Sequence, residues 1–143
     1  MLVEKIQLYE NREDVTLTTY VQDDSPEIHN GKKRPAVLIC PGGAYLFCSD
    51  REAEPVAIRF AAMGYHVFVL RYSVYFEKGE SFELVHKGVE KRERTIFPSP
   101  IRDIGAAMLL LKENADNWLI DTDRIDHCGL SAGAHNDATY SVY

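Results

Sequence analysis

The chain has 143 residues, and 45% of them are hydrophobic, which is enough for one globular domain with a core. Its net charge of −6 argues against nucleic acid as a partner, and no apolar run approaches the length that spans a bilayer. The first ten residues lack the apolar stretch of a signal peptide. Three cysteines in unrelated surroundings indicate reduced thiols and a cytoplasmic location, and their spacing resembles no metal site.

The first third of the chain predicts three strands. Val15–Val21 alternates branched and polar side chains, which indicates a half-exposed strand towards the edge of a sheet. A weaker strand signal precedes it at Val3–Leu8, and a polar turn follows at Asp23–Lys33. Ala36–Cys40 is a continuous apolar run between two prolines, which is typical of a fully buried parallel strand.

The middle of the chain alternates helix and strand. Arg51–Met63 has apolar residues at helical spacing and ends at a glycine. Tyr65–Tyr72 predicts a second buried strand, and Ser99–Lys112 predicts an amphipathic helix with a proline in its first turn. This order predicts an α/β fold with a mostly parallel sheet, right-handed crossovers and helices on both faces.

Residues 73–98 interrupt that rhythm, because 26 residues are long for a link between a strand and a helix. The basic side chains of this segment, Lys87, Lys91, Arg92 and Arg94, alternate with glutamates at helical spacing, which favours a solvated helix face. We therefore favour a surface insertion with one short helix. The alternative is a lid or substrate cap, because the segment leaves the carboxyl end of a strand, where α/β folds bind ligands.

The pentapeptide Gly129-Leu130-Ser131-Ala132-Gly133 fits the G-x-S-x-G nucleophile elbow, in which a serine occupies a tight turn from strand to helix. The flanking glycines remove side chains that would clash in this bend and let helix and strand pack closely. Arg124–Cys128 predicts the strand before it, although Asp126 and His127 are unusually polar for a central strand. The last ten residues lack Pro and Gly and predict the helix after it. The motif predicts a serine hydrolase with Ser131 as nucleophile.

A second turn, Pro41-Gly42-Gly43-Ala44-Tyr45, follows the buried strand that ends at Cys40. Paired glycines leave backbone N–H groups unobstructed at the carboxyl end of that strand. A tetrahedral acyl intermediate needs such donors for its oxyanion. A further donor is the N–H of Ala132, at the start of a helix whose dipole favours negative charge.

These motifs resemble the α/β-hydrolase superfamily, in the microbial esterase/lipase branch that includes acetyl esterases and hormone-sensitive-lipase-like enzymes. Cys40–Tyr45 resembles the oxyanion segment of that family, His-Gly-Gly-Gly, with Pro in place of His. Asp123–His135 resembles the segment that carries the nucleophile. Two stretches between them, 64–72 and 97–103, are similar to the next strand and to the start of the next helix of the family.

The resemblance implies a carboxylic-ester hydrolase that uses no metal and no organic cofactor. Ser131 would accept the acyl group, and the backbone N–H groups of Ala132 and Gly43, with Gly42 as a further candidate, would bind the oxyanion. Tyr45 would line the acyl pocket. The implied substrate is a small-molecule ester with a small acyl group such as acetyl. A peptidase or thioesterase on the same scaffold remains open, because a fold does not determine the substrate.

The acid and the histidine of that family lie after later strands, which this sequence does not contain. We therefore expect a single partial domain over residues 1–143, truncated after the nucleophile helix. His127 lies too far along its strand to reach Ser131, and His135 is assigned a packing role.

The strand that delivers Ser131 is then expected to be an open sheet edge, through which a homo-oligomer could form. A competing hypothesis is a non-catalytic remnant of an esterase. A third is that a second copy or a separate polypeptide supplies the missing strands.

Overall fold

The computed structural model describes residues 1–142. Its strands are β1 (Lys5–Tyr9), β2 (Arg12–Tyr20), β3 (Arg34–Cys40), β4 (His66–Arg71) and β5 (Ile120–Gly129). Its α-helices are α1 (Glu54–Ala62), α2 (Glu83–His86), α3 (Ser99–Glu113) and α4 (Ala132–Val142). The strands form one sheet in the order β1-β2-β4-β3-β5. The β1–β2 and β2–β4 pairs are antiparallel, whereas β3 is parallel to both β4 and β5.

The core lies on both faces of this sheet because side chains of β3 and β4 alternate between them. Val37 and Val69 pack with Ala57 of α1 on one face. Leu38 and Phe68 pack with α3 on the other face, which α4 also contacts. Each fully buried Leu or Phe side chain contributes about 2 kcal/mol to stability. The predicted α/β fold with helices on both faces is confirmed, and the sheet is mixed, with two parallel and two antiparallel strand pairs.

The prediction of a half-exposed strand near the sheet edge was wrong for β2. This strand pairs on both sides, with β1 and β4, and its residues from Val15 to Tyr20 are buried. Its threonines make apolar and polar residues alternate along the strand, a pattern that usually marks one solvated face. Thr19 instead lies fully buried, where its hydroxyl donates to the Leu2 carbonyl oxygen and accepts from the Glu4 N–H.

The strand before the elbow begins at Ile120, four residues earlier than predicted, and it contains a bulge. The pairing of β5 with β3 shifts register between Ile120 and Ile125. Within that shift the Asp123 N–H donates to Asp121 Oδ1 at 3.0 Å. In residues 1–142, β5 pairs only with β3 and is therefore an edge strand. Its polar residue His127 contacts Asp137 of α4, which accounts for a polar residue at this position.

Segment 73–98 contains only the four-residue helix α2 and a short 3-10 turn, which agrees with the prediction of one short helix. The predicted solvated basic face was wrong for Arg92. Its guanidinium forms an ion pair with Glu80, donates to the Tyr75 carbonyl oxygen at 2.8 Å and lies 4.3 Å from the centroid of the Tyr75 ring. Arg94 pairs with Glu77 at 3.1 Å. These contacts fold the segment onto the protein.

The three cysteines, Cys40, Cys48 and Cys128, carry free thiols. Burial raises the pKa of the Cys40 thiol well above its usual value.

The longest helix, α3, has 15 residues, and none of the helices within residues 1–142 is both long enough and apolar enough to cross a membrane.

Candidate active site

Ser131 occupies the turn between β5 and α4 in a left-handed backbone conformation, with φ of 51°. The two motif glycines, Gly129 and Gly133, are required because neighbouring backbone atoms lie too close to leave room for a side chain. A Cβ atom on Gly129 would lie 2.4 Å from Ala134 Cα, and one on Gly133 would lie 1.9 Å from the Cys40 carbonyl oxygen. The expectation that these glycines let helix and strand pack closely is confirmed. A left-handed serine costs about 1–3 kcal/mol, and such strain tends to cluster at functional sites.

The two sequence motifs meet at the carboxyl ends of the neighbouring strands β3 and β5. A Cβ atom on Gly42 would lie 3.0 Å from Ser131 Cβ and 2.7 Å from the Leu130 carbonyl oxygen. The Leu130 N–H donates to the Cys40 carbonyl oxygen at 3.1 Å. The backbone of the glycine turn therefore lies directly against Ser131, which is itself exposed to solvent.

Gly42 does not offer a free donor, so its assignment as an oxyanion donor is corrected. Its N–H donates to Glu52 Oε2 at 2.7 Å. Glu52 ends the 3-10 turn that precedes α1, where the sequence predicted a continuous helix. The sequence did not predict this hydrogen bond because it depends on the loop between residues 42 and 52, which folds back and brings Glu52 to Gly42.

The N–H groups of Gly43, Ala44 and Ala132 have no hydrogen-bond acceptor within residues 1–142. Ala132 begins α4, so its N–H is one of the donors that a helix leaves unsatisfied at its first turn. Two of these three residues, Gly43 and Ala132, are those for which the sequence predicted an oxyanion role.

The loop that carries Gly43 has positive φ at three successive residues, of which two are not glycine. Gly43, Ala44 and Tyr45 have φ values of 145°, 56° and 61°. A Cβ atom at Gly43 would lie 1.9 Å from the Phe47 carbonyl oxygen, so only glycine fits there. Left-handed non-glycine residues such as Ala44 and Tyr45 persist only where surrounding contacts hold them. Here the Tyr45 carbonyl oxygen accepts the Tyr75 N–H of segment 73–98 at 2.8 Å.

Tyr45 contributes to an apolar cavity of about 270 Å³ beside the elbow. Ile96 and Phe97 of segment 73–98 and Ile101 of α3 form other parts of its wall. His135 also lines the cavity, and its Nδ1 lies 2.7 Å from the Tyr45 hydroxyl. The His135 N–H donates to the Ser131 carbonyl oxygen at 3.1 Å, which places the cavity within about one helical turn of the elbow.

No histidine or carboxylate within residues 1–142 is hydrogen-bonded to the Ser131 hydroxyl. His127 contacts Asp137, and His135 contacts Tyr45. Burial lowers the pKa of His66 to about 4, and this residue lies at the start of β4, far along the chain from either motif. Residues 1–142 also contain no group of three or more His, Cys, Asp or Glu side chains arranged to hold a metal ion.

The chain is similar to a known protein family and to solved structures. The BD-FAE family model matches residues 24–141. MGS-M1, an α/β hydrolase enzyme from a Medee basin deep-sea metagenome library, is 45% identical, and its crystal structure superposes with a TM-score of 0.80. The match covers 97% of this chain and 50% of MGS-M1.

Two curated proteins are also similar. Endo-1,4-beta-xylanase B of Butyrivibrio fibrisolvens is 30% identical over 117 residues, which are 81% of this chain and 16% of that protein. Esterase LipQ of Mycobacterium tuberculosis is 28% identical over 111 residues, which are 77% of this chain and 22% of LipQ. The chain thus spans half the length of MGS-M1 and less than a quarter of either curated relative. It belongs to the BD-FAE family, has the α/β-hydrolase fold and has esterases among its relatives.

Proposed function

We propose that the protein hydrolyses carboxylic esters through an acyl-enzyme formed on Ser131. One observation carries this proposal: an exposed, left-handed serine in an elbow lies against a glycine turn. Two N–H groups nearby, at Gly43 and Ala132, have no acceptor in the described chain. A nucleophile beside unpaired donors is the arrangement that acyl transfer requires.

The roles of the residues follow from this arrangement. The Ser131 hydroxyl oxygen attacks the ester carbonyl carbon while a base takes its proton, and the carbonyl oxygen becomes the oxyanion. The Gly43 and Ala132 N–H groups donate to that oxyanion, and losing one such donor typically costs about 3 kcal/mol of transition-state stabilisation. The alcohol then leaves with the proton, and water hydrolyses the acyl-enzyme in a second cycle.

We infer that the base and the acid that orients it come from outside residues 1–142, because His127 and His135 both have other partners. The greater length of MGS-M1 supports this inference, since this chain covers 50% of it. A non-catalytic remnant is the alternative that the same observation favours, because the two histidines nearest to Ser131 in the chain, His127 and His135, are engaged elsewhere.

For the substrate we propose a small-molecule ester with a small acyl group such as acetyl. The apolar cavity beside Tyr45 would take an apolar part of that ester. LipQ, an esterase, supports the reaction class. The three free thiols support a reducing, cytoplasmic location.

The test is hydrolysis of p-nitrophenyl acetate by the full-length protein and by its Ser131→Ala variant. We expect Ser131→Ala to lower kcat by about 10⁴-fold or more, because the nucleophile is removed while the binding groups stay. Ser81→Ala is the matched control, since Ser81 is exposed in segment 73–98, and it should retain full activity.

Equal turnover by wild type and Ser131→Ala would contradict the proposal, as would a wild-type protein without esterase activity. Parallel assays with a thioester and a peptide amide distinguish the other acyl hydrolases. A 143-residue chain that is inactive while the full-length protein is active would assign the missing base to the remainder of the protein.

A further inference from the structure

We infer that Glu52 and Tyr72 are positioning residues that hold the Pro41–Gly42 peptide and thereby aim the oxyanion donor of Gly43. Neither residue belongs to a sequence motif of the site. The inference rests on the proposed function, because it concerns the same oxyanion site, and it identifies residues on which that site depends.

Both polar groups of the Pro41–Gly42 peptide are hydrogen-bonded to side chains. The Tyr72 hydroxyl donates to the Pro41 carbonyl oxygen at 2.5 Å. On the opposite side of the same peptide, the Gly42 N–H donates to Glu52 Oε2 at 2.7 Å. Since a peptide unit is planar, these two contacts fix its orientation about the chain axis.

The next peptide, Gly42–Gly43, is held through the same short loop. The Gly42 carbonyl oxygen accepts the Ser49 N–H at 2.8 Å, and the Ser49 carbonyl oxygen accepts the Glu52 N–H at 3.1 Å. A trans peptide directs its N–H opposite to its carbonyl, so the bond from Ser49 determines where the Gly43 N–H points. Glu52 therefore contacts this loop twice, through its side chain at Gly42 and through its backbone at Ser49.

The charge of Glu52 indicates a positioning role. A carboxylate close to Ser131 disfavours a developing oxyanion, because like charges repel. Its proximity is shown by the Cβ position at Gly42, which is 2.8 Å from Glu52 Oε2 and 3.0 Å from Ser131 Cβ. What the site gains from Glu52 is the acceptor oxygen. An amide oxygen offers the same acceptor without the charge.

Tyr72 is suited to the complementary contact. Its side chain is 1% exposed, and burial raises the pKa of its hydroxyl, which therefore stays protonated and remains a donor. Its ring also packs edge-on against Tyr45, with 6.1 Å between the ring centroids. The buried Tyr72 side chain thus contacts the glycine turn on both sides of Gly43, at Pro41 and at Tyr45.

The experiment measures kcat and KM for p-nitrophenyl acetate in the full-length protein, in variants of Glu52 and Tyr72, and in one control variant. We expect Glu52→Ala to lower kcat by about 100-fold, because a donor displaced by a fraction of an ångström no longer meets the oxyanion. Its KM should stay within about twofold, since the ground-state ester does not use this contact. Glu52→Gln keeps the acceptor and should retain kcat within about fivefold. Glu54→Ala, on an exposed residue two positions away, is the control with unchanged activity.

A Glu52→Ala protein with wild-type kcat would overturn the inference, and so would Glu52→Gln as impaired as Glu52→Ala. If Glu52→Ala does not fold, Tyr72→Phe decides the matter: it removes one hydroxyl and should lower kcat by about tenfold at unchanged KM. Wild-type kcat in Tyr72→Phe would then overturn it. Failure of the proposed function has a different signature, namely no activity in the wild type or full activity in Ser131→Ala.

Discussion

At the scale of single residues, the elbow needs a left-handed residue and room for closely packed backbone, and serine meets the first requirement while glycine meets the second. Ser131 takes the left-handed conformation, with φ of 51°, whereas Gly129 and Gly133 do not have positive φ. The glycines serve the approach of α4 to the ends of β3 and β5, where a Cβ atom would meet backbone at 1.9–2.4 Å. Glycine is therefore needed beside the nucleophile for space, and the strain is carried by the nucleophile itself.

This division predicts that Gly133→Ala is strongly destabilising. Its new methyl group would lie 1.9 Å from the Cys40 carbonyl oxygen, and both partners are backbone held in a helix and a strand. We expect the free energy of unfolding to fall by about 3 kcal/mol or more, as for overpacked cores. Urea denaturation of wild type and variant, followed by circular dichroism, measures the difference.

The control for that variant is Gly105→Ala in the middle of α3. A Cβ atom there meets only Tyr140 Cε2 at 3.8 Å, which is an ordinary contact. Replacing a helical glycine by alanine should raise the free energy of unfolding by about 0.5–1 kcal/mol. Equal effects of the two substitutions would show that α4 does not pack on the end of β3 as described.

At the scale of elements, segment 73–98 contacts two parts of the site: the loop around Tyr45 and the apolar cavity beside it. The Tyr75 and Phe76 N–H groups donate to the carbonyl oxygens of Tyr45 and Leu46, both at 2.8 Å. Further along, Ile96 and Phe97 line the cavity beside Tyr45. The segment therefore supports the strained loop and forms a wall of the cavity, which keeps open the hypothesis of a substrate cap.

Arg92 is predicted to anchor this segment. It pairs with Glu80 and lies over the Tyr75 ring, so Arg92→Ala should release the stretch around residues 75–80. We expect hydrogen exchange at the Tyr75 and Phe76 amides to speed up by about tenfold, with little change in the sheet, because local opening costs less than global unfolding.

Lys91→Ala is the matched control for Arg92→Ala. The Lys91 ion pair with Glu93 is 3.2 Å long, and both side chains are at least 70% exposed, so it should contribute almost nothing. Unchanged exchange in Arg92→Ala, or equal acceleration in Lys91→Ala, would show that Arg92 does not hold the segment.

At the scale of the whole molecule, the sheet ends in an unpaired strand next to the site. Within residues 1–142, β5 has a partner only on the side of β3, although it is ten residues long and precedes Ser131 directly. Natural proteins seldom leave such an edge open.

We predict that the 143-residue chain, expressed alone, associates through the edge of β5. Its sedimentation should show a mass above 16.2 kDa that rises with protein concentration, because an unpaired strand offers backbone donors and acceptors to a second copy. A concentration series from micromolar to near-millimolar protein tests this directly. A monomer across that range with one cooperative unfolding transition would contradict the prediction.

Local pattern alone was enough for much of the fold. The run Ala36–Cys40 and the helix from Ser99 were predicted within a residue or two, because apolar periodicity and a proline in the first helical turn depend only on neighbours in the chain. The same holds for the position of Ser131 between a strand and a helix, since the G-x-S-x-G spacing encodes the turn itself.

Contacts between distant residues required the tertiary structure. Thr19 is buried with its hydroxyl hydrogen-bonded to the backbone of Leu2 and Glu4, and the Gly42 N–H is occupied because the loop brings Glu52 back to it. His127 is polar within a strand because Asp137 of α4 lies over it.

The sequence by itself therefore determined the order of elements, the α/β class and the nucleophile that we propose, because each is a short-range signal. Which donors at the site are free, what segment 73–98 supports and how deeply β2 is buried were decided only by the tertiary structure. Hydrogen-bond partners and burial depend on residues that the chain brings together from far apart, and no spacing in the sequence records them.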